Sequence, residues 1–416
     1  MTFENPPNTS IQAANASVQT VTLRALDADR VVIRTEACQV CYTLTRQAVG
    51  NYKPPRIMGH GAVGVVEAIG SRVRRVEVGD RVIVANTPYC GQCYLCLRGR
   101  PDRCQMLPGQ NNPLLPIGTL SDGTEVLQWN NEGGFGELMI PYEWYCMPVF
   151  TNNVSPVELS MLGCVGACGL GTTFGVAPVE PASDVVVLGC GPLGLSAVQG
   201  ARIKGASQII AVEPIATRRA VARQVGATTV IDPNVDTNNL VARIKDMCKG
   251  PTDRKFAGGR DWTGTAGAAR PASGVPQFGG GAISTAIGPD YVIEAVGGDT
   301  FPPKAEVGPD PTGILPLQWA WQLCSSAGHV TTVSVAQVGN FSVPAGQWSN
   351  GSKNHHPGNM NGVSGLRDMQ RFSRLIETGQ FNAKALATAT FPLDRAKDAL
   401  QVVADRTTIG AVVVFS

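Results

Sequence analysis

Short apolar runs dominate the first 150 residues, and from residue 184 strand-like and helix-like apolar spacings alternate. The early runs are bounded by glycine or Gly-Asp, which predicts strands at 30–34, 64–70 and 79–84. Residues 184–188 read Asp-Val-Val-Val-Leu, typical of a strand buried in a parallel sheet. The alternation that follows predicts the βαβαβ half of a doubly wound domain. Its next elements are a helix over 193–204, a strand over 208–212, a helix over 217–225 and a strand over 229–231.

Two irregular stretches interrupt this alternation. The glycine-rich segment 249–290 and the proline-rich segment 301–316 lack a regular apolar period, and we expect both to be surface insertions, because unpartnered backbone is costly to bury. Between and after these two segments, the chain again shows the apolar spacing of strands and helices. The later predicted elements are strands at 291–296, 329–333 and 411–414, and helices over 365–379 and 394–403.

Length and composition narrow the class of protein. A chain of 416 residues is too long for one core, so we expect two domains. The net charge of +2 gives no indication of nucleic acid or an anionic membrane as partner, and no apolar run is long enough to span a bilayer. The N-terminal residues lack the basic and apolar regions of a signal peptide. We therefore expect a cytoplasmic protein whose twelve cysteines serve as metal ligands or core residues.

Four cysteines are clustered in one short segment. Two residues separate each of the first three, and seven precede the last. Thiolates at this spacing can surround one Zn²⁺ tetrahedrally, leaving no position for a substrate. The alternative is two disulfides, which the absence of a secretory signal disfavours. The predicted structural zinc ligands are Cys90, Cys93, Cys96 and Cys104.

A glycine-rich turn follows the strand at 184–188 and begins the next helix, which is the context that dinucleotide binding requires. Gly189 permits the tight turn, Gly191 lets a pyrophosphate approach the backbone, and Gly194 permits close packing of the helix on the strand. The helix N-terminus, with Pro192 and Leu193, favours the anion.

An acidic residue indicates which dinucleotide is preferred. Glu213 stands at the end of the second strand, nineteen residues past Gly194. A carboxylate there accepts hydrogen bonds from ribose hydroxyls and repels a 2′-phosphate, which favours NAD over NADP. Arg218 and Arg219 are the alternative, because their charge could compensate for that repulsion or simply face solvent.

The order of these motifs resembles the zinc-dependent medium-chain alcohol dehydrogenases, from about residue 20 to the end. Besides the cysteine segment and the nucleotide turn, the motifs are Cys41-Tyr42-Thr43, Gly59-His60, Gly79-Asp80-Arg81-Val82 and Cys168-Gly169-Leu170-Gly171-Thr172. The resemblance implies an α/β protein with a GroES-like β-rich catalytic domain and a Rossmann dinucleotide-binding domain. It implies a catalytic domain formed by 1–176 and 346–416, with the Rossmann domain, 177–345, inserted between them.

The resemblance also implies a catalytic zinc. Its ligands would be Cys41, His60 and Cys168, leaving one open position for the alcohol oxygen. Cys164 is the rival third ligand, and Cys168 is preferred because Cys-Gly-x-x-Thr fits the family's turn into the linking helix. Thr43 would accept the alcohol proton and pass it towards the cofactor ribose.

Several positions depart from the family's pattern. Leu44 replaces an aspartate that supports the ligating histidine, and Gly61 replaces a glutamate. Arg46 stands where some relatives have a proton-carrying histidine. Tyr42 and Gly410 occupy positions where basic residues often contact the pyrophosphate.

The sequence thus predicts an NAD-dependent alcohol dehydrogenase with two Zn²⁺ per chain, acting on a small alcohol or aldehyde as a homodimer or homotetramer. Two alternatives remain: an aldehyde dehydrogenase or dismutase with tightly bound NAD, and a catalytically silent relative that binds the nucleotide. Asn86 and Trp129 are candidate substrate-pocket residues. His355 and His356 are expected near the interdomain cleft, either exposed or with a substrate role.

Overall fold

A computed structural model describes residues 10–50, 52–106, 114–151, 153–235, 237–248, 288–335, 339–345, 348, 352–358, 360 and 362–416. Strands and helices occupy every segment for which the sequence predicted them, and the four strands at 184–188, 208–212, 229–231 and 411–414 have the predicted bounds. The glycine-rich segment lies outside the described residues from 249 to 287.

The N-terminal part is β-rich, and its longest strand is bent by two irregularities in its pairing. Short helices or 3₁₀ turns connect many of its strands. In chain order the elements are β1 (Thr22–Leu23), β2 (Val31–Val40), α1 (Tyr42–Ala48), β3 (Arg56–Ile57), β4 (Ala62–Ile69), β5 (Arg81–Val84), α2 (Tyr94–Leu97), β6 (Gly118–Thr119), β7 (Glu125–Gln128), β8 (Leu138–Met139) and β9 (Cys146–Pro148).

Two helices then lead into the central domain. They are α3 (Pro156–Leu162) and α4 (Val165–Phe174). Pro156 opens α3 and the Ser155 side chain accepts from the Glu158 amide, a standard N-terminal cap. Nearly all of α4 is buried, because it packs between the two domains against the first helix of the nucleotide-binding unit.

A six-stranded, wholly parallel sheet forms the central domain, in the order β12-β11-β10-β13-β14-β15. This confirms the doubly wound prediction. Its elements are β10 (Asp184–Leu188), α5 (Pro192–Ile203), β11 (Gln208–Val212), α6 (Ala216–Val225), β12 (Thr229–Ile231), α7 (Leu240–Met247), β13 (Tyr291–Glu294), α8 (Ile314–Leu323), β14 (His329–Thr332) and β15 (Asn354–Pro357). Because β15 belongs to this sheet, the domain continues past the predicted boundary at residue 345.

The C-terminal part returns to the first domain. Its elements are α9 (Gly365–Glu377), β16 (Ala389–Pro392), α10 (Ala396–Ala404) and β17 (Ala411–Val414). Strand β17 pairs antiparallel with β2, which places the chain's last strand inside the N-terminal sheet of order β16-β17-β2-β4-β5-β9. The sheet of the β-rich part is therefore built from both ends of the chain.

Within the described residues, no single helix is long and apolar enough to cross a bilayer. Helices α3 and α4 reach the required length and apolar composition only when taken together, and they are bent by 51° at their junction.

Candidate metal and dinucleotide site

The four clustered cysteines converge in the structure. The sulfur atoms of Cys90, Cys93, Cys96 and Cys104 lie within 4.8 Å of one another. The twelve cysteines, all of them described, are free thiols, so the two-disulfide alternative is not supported. Four sulfurs at this separation suit a tetrahedral Zn²⁺ site with no open position.

Backbone N–H groups point at the sulfurs of this cluster. The amide of Cys90 donates to the Cys104 sulfur at 3.4 Å, and that of Cys93 donates to the Cys90 sulfur at 3.3 Å. Burial raises the pKa of Cys93, but donors including the Gln105 amide outweigh it and lower the pKa to about 6. These donors thus favour the thiolate of Cys93, which is the zinc-binding form, whereas burial raises the pKa of Cys96 to about 11 and also raises that of Cys104.

A second group of ligand atoms lies at the interface between the domains. It consists of Cys41, His60 and Cys164, whose ligand atoms lie within 4.8 Å of one another. Cys41 immediately precedes α1, and Cys164 immediately precedes α4. Two thiols and one imidazole suit Zn²⁺ with a fourth position left for another ligand, which is the catalytic type of site.

The preference for Cys168 as third ligand is corrected by this geometry. Cys164 immediately precedes α4, Cys168 lies in its first turn, and only Cys164 joins the group. The Cys168 sulfur lies beside the Cys164 thiol, outside the group, and packs against Met360 Sδ at 3.6 Å. The thiol of Cys164 donates towards Cys41 and holds the pKa of Cys41 well below its ordinary value; burial opposes this shift and His60 reinforces it.

His60 is presented between two glycines with left-handed backbone. Gly59 has φ +96° and Gly61 has φ +69°. A Cβ on Gly61 would also lie 3.0 Å from the Cys164 Cβ. A glutamate at position 61, as the resemblance implied, would therefore require a strained backbone conformation and a tight contact with Cys164.

The substituted positions on α1 serve other contacts. Leu44 is fully buried in an apolar cluster with residues of α10. The Tyr42 hydroxyl accepts from the Thr300 amide at 3.0 Å, and Arg46 donates to the Gly298 carbonyl at 2.8 Å. Helix α1 thus contacts the loop that follows β13.

The nucleotide turn has the predicted form. Gly189 has φ +86°, and a Cβ on Gly194 would overlap the Gly189 carbonyl. Gly191 immediately precedes α5, which begins at Pro192. One cleft is lined by Gly189, Gly191, Pro192 and Leu193, and by Cys41 and Thr43 of the catalytic domain. The Thr43 hydroxyl lies 3.5 Å from the Cys41 sulfur.

Glu213 is buried at the end of β11, on the wall of the same cleft. Its carboxylate accepts from the Cys190 amide at 2.6 Å and the Ile215 amide at 3.0 Å. Arg219 is held by the carbonyls of Glu213 and Pro214 and by Asp232, so its charge is largely engaged. Arg218 lines the cleft, and burial lowers its pKa from the ordinary value.

The loop of residues 297–312, here called the bridging loop, contacts both domains. Asp299 forms an ion pair with Arg406, and Lys304 pairs with Asp405 at 2.9 Å. On the other side, Glu306 accepts from the Ala216 amide at 3.2 Å, at the start of α6. The predicted surface insertion over 301–316 therefore connects the C-terminal part to the dinucleotide domain, and its last residues belong to α8.

Comparisons with known proteins agree with this arrangement. The family model described as alcohol dehydrogenase GroES-like domain matches residues 27–150, and that described as zinc-binding dehydrogenase matches residues 192–307. Together they match more than half of the chain. The chain belongs to the zinc-dependent medium-chain dehydrogenase/reductase family. The predicted resemblance and fold class are confirmed.

Individual relatives share 30% or less of their residues with this chain in the three comparisons that follow. S-(hydroxymethyl)glutathione dehydrogenase of Saccharomyces cerevisiae is 30% identical over 252 residues, 58% of this chain and 65% of that relative's length. A solved zinc-binding-domain alcohol dehydrogenase protein from Burkholderia ambifaria has a TM-score of 0.76, 22% identity, and coverage of 97% of this chain and 96% of its own. Benzyl alcohol dehydrogenase of Acinetobacter calcoaceticus has a TM-score of 0.72, 23% identity, and coverage of 96% and 95%. These two structures indicate the shared fold.

Other predicted positions lie outside both metal groups. His355 and His356 lie on β15, at the edge of the parallel sheet, and do not line the cleft. His356 Nε2 is 2.9 Å from His329 Nδ1, and burial lowers the pKa of both imidazoles. Trp129 packs edge-on against Tyr52, with ring centroids 5.3 Å apart.

Two residues near the second metal group have roles that sequence reasoning missed. Asn86, the candidate pocket residue, donates its side-chain amide to the Cys164 sulfur at 3.3 Å. Glu132 is fully buried and accepts from the Gly61 amide at 2.8 Å. Burial raises the pKa of Glu132 to about 7, against the lowering effect of His60. Only the missing carboxylates at positions 44 and 61 signalled that an acidic residue should come from elsewhere.

Proposed function

We propose that this chain is an NAD-dependent, zinc-dependent alcohol dehydrogenase that interconverts a small alcohol and its aldehyde. The observation that carries the proposal is the single cleft that Cys41 and Thr43 share with the glycine-rich turn and Glu213. A thiol–imidazole–thiol group with an open position thus lies beside a dinucleotide-binding turn, each contributed by a different domain.

Different residues of the chain have separate roles in the proposed reaction. Cys41, His60 and Cys164 would hold zinc, which when bound would supply polarisation of the substrate oxygen, and bound NAD would supply the hydride acceptor. Thr43 is exposed to the cleft beside Cys41 and would take the alcohol proton. Arg46 donates to the Gly298 carbonyl and, as a guanidinium, does not release a proton, so it does not replace the relay histidine of some relatives.

A matched pair of Thr43 variants tests this role. Thr43→Val removes the hydroxyl but keeps the side chain's shape, and we expect kcat to fall by about 10²- to 10⁴-fold. Thr43→Ser keeps the hydroxyl and should retain most of the activity. The measurement is NADH absorbance over a panel of alcohols and aldehydes, with zinc content determined for each protein.

The same experiment distinguishes the alternatives. Two zinc ions per chain with alcohol oxidation support the proposal. One zinc ion per chain and no turnover across the panel would favour the silent relative. Turnover of aldehydes without added NAD would favour the dismutase with tightly bound cofactor.

The preference for NAD is expected to depend on Glu213. Replacing it with glutamine removes the charge that repels a 2′-phosphate and keeps an acceptor for one of the two backbone amides. We expect the ratio of the NADPH and NADH dissociation constants to fall at least about tenfold, a change of about 1.4 kcal/mol. Fluorescence titration measures both constants without a known substrate. Glu180→Gln, an exposed acid outside the cleft, is the control; tighter binding of NADPH by the unaltered protein would contradict the proposal.

A further inference from the structure

The peptide unit between His60 and Gly61 is held on both sides by buried side chains. Gln39 Nε2 donates to the His60 carbonyl at 3.0 Å, and the Gly61 N–H donates to Glu132 Oε2 at 2.8 Å. Because both bonds fall on one rigid peptide plane, they fix the backbone from which the imidazole projects.

A chain of amides connects the same carboxylate to the third ligand. Asn130 Nδ2 donates to Glu132 Oε1 at 2.7 Å and to the Asn86 carbonyl at 3.0 Å. The Asn86 side-chain amide in turn donates to the Cys164 sulfur at 3.3 Å. Two of the three candidate ligands are therefore supported by one hydrogen-bonded network whose acidic member is Glu132.

The charge of Glu132 has no partner of the usual kind. The side chain is 0% exposed, and no lysine or arginine of the described residues forms an ion pair with it. A buried carboxylate is costly unless a cation compensates it. The His60 imidazole favours the charged form of Glu132, and a metal ion held by Cys41, His60 and Cys164 would be the compensating cation when bound, although Glu132 itself is not part of that group of ligand atoms.

We propose that Glu132 is a positioning residue for the catalytic metal, holding the His60 peptide and supplying a buried negative charge beside the ion. This inference rests on the proposed function. The carboxylate comes from a turn 71 residues beyond Gly61, whereas position 61 has a left-handed backbone with tight surroundings and Leu44 packs in an apolar cluster. The protein thus meets an electrostatic requirement of the site from a different part of its fold.

The test compares Glu132→Gln with Glu137→Gln, which changes an exposed carboxylate on the same segment. Each protein is loaded with zinc and titrated with a chelator. We expect Glu132→Gln to bind the second zinc about 10- to 100-fold more weakly. The zinc of the four-cysteine cluster is the internal reference and should be released at an unchanged chelator concentration. Glu137→Gln should match the unaltered protein at both sites.

A purely structural role predicts the opposite pattern. It would lower the Tm of the protein that retains only the cluster zinc, and it would leave the affinity for the second zinc unchanged; that outcome overturns the proposal. If the unaltered protein binds one zinc only, the proposed function itself fails. If the unaltered protein binds two zinc ions, and Glu132→Gln and Glu137→Gln bind the second zinc with the same affinity as each other, this inference alone fails.

A second variant guards against failure of Glu132→Gln to fold. Asn130 has φ +54°, so glycine fits its backbone without strain. Asn130→Gly removes the donor to both Glu132 and Asn86, and we expect a several-fold loss of affinity for the second zinc. Unchanged affinity in this variant would contradict the network's role. Absorption spectra of the cobalt-substituted proteins provide an independent readout of the geometry at the second site.

Discussion

Cys164→Ala is expected to remove one of two zinc ions and to reduce kcat/KM by at least about 10³-fold. Cys168→Ala is expected to keep both ions and most of the activity. The reason is geometric, because only the Cys164 sulfur lies within 4.8 Å of the ligand atoms of Cys41 and His60. Metal polarisation of the substrate oxygen contributes several kcal/mol, and each 1.36 kcal/mol is about a tenfold change in rate. Zinc content and steady-state kinetics are the measurements.

The two variants control for each other, since each removes one buried thiol, Cys168 from the first turn of α4 and Cys164 from the position immediately before it. Cys168→Ala also loses its packing on Met360, so a loss of stability there without a loss of zinc agrees with the assignment. The reverse result, in which Cys168→Ala loses the ion and Cys164→Ala keeps it, would restore the ligand set that the family resemblance favoured.

The sequence predicts the order of the helices and strands well wherever the apolar residues recur with a single, regular spacing. The apolar run at 184–188 and the alternation after it give the parallel sheet and three strand bounds directly, because such strands are buried on both faces. The pairing of β17 with β2 has no local signal. It follows only from the family resemblance, since the two strands are separated by most of the chain.

The third ligand of the second metal group could not be chosen correctly from the sequence. Cys164 and Cys168 lie four residues apart around the start of α4, and either spacing is compatible with a distant histidine. What decides between them is the backbone of Cys164, with φ −146° and ψ −84°, which turns its side chain out of the helical path. A motif match cannot supply that information. Glu132 was missed for a related reason, because no spacing rule connects it to Gly61.

The contacts of the bridging loop are a third feature that the sequence could not predict. Its proline-rich sequence indicates irregular structure correctly, but not that its charged residues pair with both domains. Such pairs join distant positions, and no local pattern encodes them. The loop also lines the nucleotide cleft through Gly308, Pro309 and Asp310, so the segment belongs to the cofactor site as well as to the surface.

Cys93→Ser is expected to destabilise the whole protein while leaving the hydride-transfer step unchanged. The four-cysteine cluster has no open position, and its binding energy is folding energy. Loss of one thiolate should cost at least about 3 kcal/mol and lower the Tm by roughly 3–6 °C. Thermal unfolding and zinc content measure the effect, with kcat taken well below the transition.

Cys248→Ser is the matched control, since Cys248 is similarly half-buried but lies outside both metal groups. Its substitution should leave both zinc ions bound. A chelator should lower the Tm of the unaltered protein towards that of Cys93→Ser and have little further effect on the variant, because the stabilising ion is already lost. Full zinc content with an unchanged Tm in Cys93→Ser would show that the cluster holds no structural metal. A large fall in kcat at low temperature would instead place this loop in the reaction, contrary to its closed set of four sulfurs.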